Sequence, residues 1–458
     1  MTKMADLPRT ETDSLGTVQI PAGAAWGSQT QRAIENFPIT GVVINHYPEV
    51  VVALAQVKAA CAYTNAELGV LPSEKAQAIA ELCGEIIDGQ HHEHFAVDLM
   101  QGGAGTSTNM NANEVIANIA LARMGRPFGD YAALHPNDDV NRSQSTNDVY
   151  PTAIRLATLA KTEPLITAMT ELVQAFRAKA GEFSDVVKVG RTQLQDAVPM
   201  SLGDEFRGFA TTIAEDIDRI ADLANLLTEV NLGGTAIGTR INAPEGYAER
   251  AVAHLSEISG RDLIPASDLI EASSDLGAFV MFSSALKRVA IKLSKISNDL
   301  RLLGSGPRAG IGEIILPAVQ AGSSIMPGKV NPVIPEVVNQ ICFQAIGNDL
   351  VVTMAAEAGQ LQLNAMEPVI FYKIMETMTT LTNGMHVLTE RCVKGIEADR
   401  ARCAELLNGS LVLATTLVPL IGYEAATKLA KYAQAEGLTL RDAGAAQGVA
   451  SALFDEIA

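Results

Sequence analysis

Positive charge is scarce in this sequence. Its 34 Lys and Arg face 52 Asp and Glu, a formal net charge of −18, which argues against nucleic acid and anionic membrane as partners. Aromatic residues are scarce too, at 5% with a single Trp, whereas 48% of the chain is hydrophobic. A core rich in Ala, Leu, Ile and Val suits long packed helices better than a sandwich or barrel, so the fold class expected is mainly α. The five cysteines, Cys61, Cys83, Cys342, Cys392 and Cys403, show no C-x-x-C spacing, the pattern of reduced cytoplasmic thiols rather than a disulfide framework. No run approaches the roughly 18 apolar residues of a membrane span. The opening Met1-Thr2-Lys3-Met4-Ala5-Asp6 lacks the apolar core of a signal peptide. A soluble cytoplasmic protein is expected, of two or three domains for its 458 residues.

What the sequence does have is helical periodicity. Phe279, Phe282, Leu286, Val289, Leu293, Ile296, Leu300 and Leu303 step by three and four, a seam of roughly 36 Å at 1.5 Å per residue. Phe206, Phe209, Ile213, Ile217, Ile220, Ala224 and Leu227 repeat the pattern. Further helical stretches cover 151–182, 334–356 and 367–391, and five such helices make a bundle. Periodicity alone leaves open whether a seam is the chain's own core or faces another subunit. Short helical patterns mixed with turns precede the bundle, and helices shorten after Gly395. We therefore expect an N-terminal domain at 1–145, a central bundle at 146–395 and a small C-terminal helical domain at 396–458.

A long Gly- and Pro-rich stretch, 304–332, interrupts the bundle, and long loops between long helices are commonly functional. It contains Gly322-Ser323-Ser324-Ile325-Met326-Pro327-Gly328-Lys329-Val330-Asn331-Pro332. A phosphate loop is excluded, because five residues separate Gly322 from Gly328 and Val330 replaces the magnesium-binding hydroxyl. Three other segments combine glycine, hydroxyl and amide residues: Gly103–Asn111, Ser143–Asp148 and Gly190–Asp196. Thr106 sits in a glycine-framed loop whose backbone N–H groups can approach an anion, although alone it reads equally as a turn hydroxyl. Ser145, Thr146 and Asn147 precede Pro151 and a helix; a hydroxyl there can cap the helix, and a capped N-terminus still offers N–H groups to a carboxylate.

Together these four strings resemble those of the class II fumarase/aspartase superfamily, and the resemblance runs to at least Pro368. It implies a three-domain fold with a central five-helix bundle that assembles into a tetrameric helical core. It also implies composite active sites drawn from three subunits of a homotetramer, and a small dicarboxylate substrate. By the same resemblance Ser323 is the general base, removing the proton beside the β-carboxylate to give an aci-carboxylate. Thr106, Ser145, Thr146 and Ser324 would hold that charge, Thr192, Lys329 and Asn331 the α-carboxylate, and Asn147 the leaving amine. The chemistry requires neither metal nor organic cofactor, though activation by a divalent cation is left open.

Within the superfamily, Ser145-Thr146-Asn147, Val330–Gln340 and Glu357–Pro368 resemble the aspartases, which eliminate ammonia from L-aspartate to give fumarate. His135–Asn141 resembles the fumarase version of its segment, including a secondary anion site. Two departures stand out. Gln193 occupies a position where histidine is usual, which makes fumarate hydration the less expected reaction because an amide cannot titrate near neutral pH. Arg240 replaces a common glycine. Pointing outward it is a surface cation; pointing inward it would clamp the extra carboxylate of an N-substituted, iminodisuccinate-like aspartate. The chain ends at Ala458, earlier than typical aspartases, a departure that puts allosteric and tail functions in doubt. His91, His92 and His94 lack companion ligands for a metal and read as an exposed turn. A non-catalytic structural homo-oligomer is the alternative outside enzymology, against which the retained Ser323, Lys329, Asn331, Thr106 and Asn147 count.

Overall fold

The computed structural model describes residues 8–457; the leading segment Met1–Asp6 and the terminal Ala458 lie outside the described residues. The chain opens with an antiparallel ribbon of β1 (Arg9–Asp13) and β2 (Gly16–Ile20), Arg9 opposite Ile20. Helices α1 (Ser28–Asn36), α2 (Pro48–Glu67), α3 (Ser73–Ile87) and α4 (Thr106–Arg123) follow. Then come α5 (Thr146–Glu182), the hairpin β3 (Val187–Thr192) and β4 (Gln195–Ser201), and α6 (Leu202–Ala224). The short strand β5 (Glu229–Val230), α7 (Tyr247–Ser259) and β6 (Ile264–Pro265), which pairs parallel with β5, lead into α8 (Gly277–Leu303). After β7 (Ile314–Ile315) come α9 (Val333–Glu357) and α10 (Glu367–Arg391), and β8 (Glu397–Ala398) pairs antiparallel with β7. Five short helices follow, α11 (Arg400–Gly409), α12 (Leu413–Ile421), α13 (Tyr423–Glu436), α14 (Leu440–Ala446) and α15 (Ala452–Ile457).

Two compact units divide the chain. The first takes residues to Leu165, Arg219–Lys287 and Gln344–Thr379; the second takes Ile166–Asp218, Arg288–Phe343 and residues from Thr380. Each of α5, α6, α8, α9 and α10 contributes to both. In the second unit the five helices close a ring. Phe176 of α5 meets Phe206 of α6 edge to face, and Lys292 of α8 pairs with Asp216 of α6. Asn339 of α9 donates to Ser294 of α8, Gly384 of α10 lies against Ile341 of α9, and His386 of α10 meets Glu171 of α5. In the first unit Arg155 of α5 stacks on Phe279 of α8, and Asp349 of α9 accepts from Ser283 and Lys287 of α8. All eight residues of the Phe279–Leu303 seam are buried within the single chain.

The segment before the bundle holds longer helices than its sequence pattern suggests, 20 residues in α2 and 18 in α4. The physical reason is burial on every face. Val50, Val51, Ala53, Leu54, Ala55 and Val57 are all buried, so α2 has no apolar stripe to read. α4 buries Asn109, Asn111, Asn113, Glu114 and Asn118, a composition that argues against helix. The His92–His94 turn is half-buried rather than exposed, with His91 meeting Glu85 and His92 meeting the Ile86 carbonyl. Among the described residues no single helix is long and apolar enough to cross a membrane.

Candidate active site

Four of the candidate residues lie around two helix N-termini of the first unit. Gly103, Ala104 and Gly105 all have positive φ, winding the backbone into the start of α4. Gly105 is obligatory, since a Cβ there would sit 2.3 Å from the Tyr150 ring. Thr106 is exposed at the first position of α4, and its hydroxyl donates to the Gly103 carbonyl at 2.7 Å rather than outward. One turn on, the Asn109 amide donates to Thr146 Oγ1 at 3.1 Å, which joins α4 to the start of α5.

The Ser145-Thr146-Asn147 turn is braced from beneath. Ser145 Oγ accepts from the Asn147 N–H. Asp148 accepts from the Ser145 N–H through one oxygen and from the N–H groups of Gly233 and Thr235 through the other, all at 2.9–3.0 Å. Asn147 donates through its side-chain N–H to the Ala236 carbonyl at 2.8 Å. Its amide oxygen is then the end that can accept from an ammonium. Asp148 is fully buried, and burial pushes its carboxyl up to about 6 despite the three donors. A cavity of about 800 Å³ opens beside this turn, with Asn137, Arg142, Ser145, Thr235 and Asn242 in its wall.

Arg240 lies in the same unit, on the loop after Ala236. Its φ is +59°, the left-handed region where glycine is the easy residue. Its guanidinium pairs with Glu249 at 2.9 Å, and both side chains are about half exposed.

The remaining candidates belong to the second unit. Thr192 and Gln193 stand exposed at the tip of the β3–β4 hairpin, where Gln193 and Leu194 take φ of +54° and +62° between the paired Thr192 and Gln195. Loop 304–332 runs from α8 to α9. Ser323 makes a tight turn in which its own Oγ accepts from the N–H groups of Ile325 at 3.1 Å and Met326 at 2.8 Å. Asn331 donates to the Gly322 carbonyl at 2.5 Å and Gly322 N–H to the Lys329 carbonyl at 3.0 Å, pinching the loop's neck. Ser324 and Lys329 are exposed.

The loop's root is tied to the hairpin by the fully buried Glu313, which pairs with Lys188 at 3.0 Å and Arg191 at 2.9 Å. Arg402 of α11 donates to the Gly310 and Ile311 carbonyls. Among the described residues, no hydrogen bond joins Thr192 or Gln193 to Ser323, Lys329 or Asn331.

An alkoxide at Ser323 would form where two N–H dipoles already point, and hydrogen bonds to the charged form favour it. The first unit offers hydroxyl and amide groups on a braced turn, the equipment for holding a carboxylate and an amine. Sequence reasoning passed over Asp148 and Asn109, although both stand inside strings it singled out. It also passed over Lys58, the single charge between Glu49 and Glu67 in an otherwise neutral helix. A lone lysine in the middle of an apolar run was the available signal.

Comparison with known proteins gives consistent similarities. Residues 16–347 match the family described as Lyase, and residues 413–458 match the Fumarase C C-terminus. The chain is 60% identical over 451 residues to an aspartate ammonia-lyase of Pseudomonas fluorescens, covering 98% of this chain and 94% of that one. It is 52% identical over 440 residues to the aspartate ammonia-lyase of Escherichia coli K12, covering 96% and 92%. Among solved structures, a fumarate lyase:delta crystallin of Brucella melitensis bound to cobalt superposes with a TM-score of 0.96 at 58% identity, covering 98% of both chains. A class II fumarase of Schistosoma mansoni superposes with a TM-score of 0.92 at 35% identity, again over 98% of both.

Proposed function

The chain belongs to the fumarase/aspartase superfamily of lyases, and from that premise we propose that it is an aspartate ammonia-lyase. It converts L-aspartate reversibly to fumarate and ammonia. The observation that carries the choice of substrate is the 60% identity over 98% of the chain to an aspartate ammonia-lyase. Glutamine at position 193, which cannot act as a base near neutral pH, is in keeping with elimination of an amine rather than of water.

In the proposed reaction Ser323 Oγ, as alkoxide, takes the proton from the carbon beside the β-carboxylate. The electron pair moves into that carboxylate to give the aci-carboxylate dianion. It then returns to form the C=C bond as the C–N bond breaks, its electrons leaving with ammonia. Stabilising the dianion is the dominant requirement. Ser145, Thr146 and Ser324 supply donors for it, joined by Thr106 once its hydroxyl turns from the Gly103 carbonyl, while Thr192, Lys329 and Asn331 take the α-carboxylate and Asn147 the amine. Every charge in this scheme is met by side chains or backbone, so no metal or organic cofactor is required. Turnover surviving dialysis against EDTA would support that point, and stimulation on adding a divalent cation would identify an activator.

The protein is proposed to act as a homotetramer with sites shared between subunits. α9 exposes Phe343, Leu350 and Met354 at spacings of seven and four, an apolar stripe that another copy's helix would cover. Mass from light scattering tests the tetramer. Shared sites predict that a mixed tetramer of Thr146→Ala and Ser323→Ala chains regains turnover that neither homotetramer has. The five unpaired, buried thiols fit a reducing, cytoplasmic setting.

The direct experiment follows fumarate by ultraviolet absorbance with L-aspartate, L-malate and an N-carboxyalkyl aspartate in parallel. Turnover confined to L-aspartate supports the proposal. Turnover confined to malate or to the substituted amine overturns it, and the latter would make Arg240 a substrate residue.

A further inference from the structure

Lys58 is 0% exposed in the middle of α2, and its ammonium is held by three neutral oxygens and no carboxylate. Nζ donates to Asn109 Oδ1 at 2.7 Å, Gln144 Oε1 at 2.8 Å and Asn141 Oδ1 at 3.0 Å. A buried charge with no carboxylate in hydrogen-bond contact is costly, and a structural role alone would be served better by a neutral side chain. An ammonium can only donate, so it fixes the three amides with their oxygens inward and their N–H groups outward. The Gln144 N–H groups accordingly reach the Val140 and Arg142 carbonyls. The Asn109 N–H groups reach Asn141 Oδ1 and Thr146 Oγ1. Thr146 Oγ1 thus accepts from within, and its own proton is turned away from Lys58.

We propose that Lys58 is the charge source and positioning residue of the anion site, setting the Asn109–Thr146 chain so that Thr146 presents its O–H to the substrate carboxylate. This rests on the reading that Thr146 binds that carboxylate. It also answers how a chain of net charge −18 gathers a dianion. One elementary charge is held where water cannot screen it, and aligned amide dipoles carry its influence to a hydroxyl at the surface of the site. The groups facing Lys58 are Cys61 on its own helix, Cys83 on α3 and Asp148 on α5. Burial pushes both thiols up to about 12, so they stay neutral. Asp148 accepts from three backbone N–H groups; its carboxylate offsets part of the Lys58 charge at a distance and does not hydrogen-bond the ammonium. Burial brings the ammonium down to about 8, which leaves it charged at neutral pH.

The test is the affinity for succinate, a dicarboxylate without a leaving group, measured by calorimetry on the assembled protein. Asn109→Asp keeps an acceptor for Lys58 and adds an ion pair, which offsets the lost donation to Asn141 Oδ1 and so keeps the fold. It removes the N–H that Thr146 accepts from, and its second oxygen draws the Thr146 proton inward. We expect succinate to bind at least 30-fold more weakly to Asn109→Asp, with the thermal midpoint unchanged or raised. Binding within threefold of the unaltered protein, with the variant folded, overturns the proposal. Independently of any variant, succinate affinity of the unaltered protein should fall severalfold as pH rises through about 8 and beyond and the ammonium discharges. A flat profile there overturns it as well. Dicarboxylate binding without turnover of L-aspartate would sink the ammonia-lyase reading alone, whereas no dicarboxylate binding at all would sink both.

Discussion

The turn at 145–148 and the loop at 322–331 carry the two halves of the proposed chemistry and are built in opposite ways. The first is braced by a buried carboxylate with three backbone partners and by a buried ammonium with three amides. The second is held by hydrogen bonds among its own residues, and it leaves Ile325 85% exposed. The contrast follows from what each half does. Groups that stabilise developing charge are worth most when they need no reorganisation, so they belong on a rigid, dry support. A base that must reach the substrate and withdraw can ride on a loop whose root alone is fixed, here by Glu313 and Arg402.

This division predicts a separation of activity from stability. Ser323→Ala should lower kcat with L-aspartate by about 10²–10⁴-fold, the range for losing a general base. Its thermal midpoint should move by less than about 2 °C, because the loop's contacts are its own. A large loss of stability would break the contrast from the loop's side. Asp148→Ala should move both quantities. It orphans three buried N–H groups, costing about 3 kcal/mol or more, and should lower kcat/KM by about 100-fold as the turn relaxes. Urea unfolding and initial rates measure the two effects together, and a fall in one without the other would contradict the bracing role.

A smaller effect sharpens the comparison through pH. The native ammonium of Lys58 titrates at about 8, below its ordinary range, so the unfolded chain binds the extra proton above that pH. Measured as the difference between the unaltered protein and Lys58→Met, stability should therefore rise with pH from about 8 upward. The buried thiols, which act in the other direction, cancel in that difference. Affinity for a dicarboxylate should fall over the same window. Stability and binding moving in the same direction would contradict a charge kept for function. The smallest expected effect is at the hairpin tip, where Leu194 is 69% exposed at positive φ. Leu194→Gly should raise stability by roughly 0.5–1 kcal/mol by relieving the left-handed conformation, read from chemical unfolding.

Legibility in the sequence followed the same division. Helices α6, α8, α9 and α10 were readable because each has a buried face and a wetter one, whereas α5 is buried all round from Asp148 to Leu159 and shows that pattern only beyond it. Stretches expected at 334–356 and 367–391 are realised as 333–357 and 367–391. The exposed loop was readable because its glycines, prolines and hydroxyls leave no packing explanation. The braced turn was readable only at its surface. Ser145, Thr146 and Asn147 stood out, but the residues that hold them did not. Lys58 comes from a helix some 90 positions earlier that is buried on all sides and carries no periodicity. Asn109 points inward among other asparagines, and nothing in one sequence says which amide meets which charge. The boundaries of the two compact units fall inside continuous helices, where no shift in composition marks them.

The most direct test of the division is to titrate L-aspartate into Ser323→Ala by calorimetry, since a variant that cannot turn substrate over can be studied with the substrate itself. The account predicts a dissociation constant within about threefold of that for succinate binding to the unaltered protein, with no fumarate formed. Failure of the folded variant to bind L-aspartate would show that the Ser323 hydroxyl is itself needed to hold the substrate, and would contradict a residue whose part is confined to removing the proton.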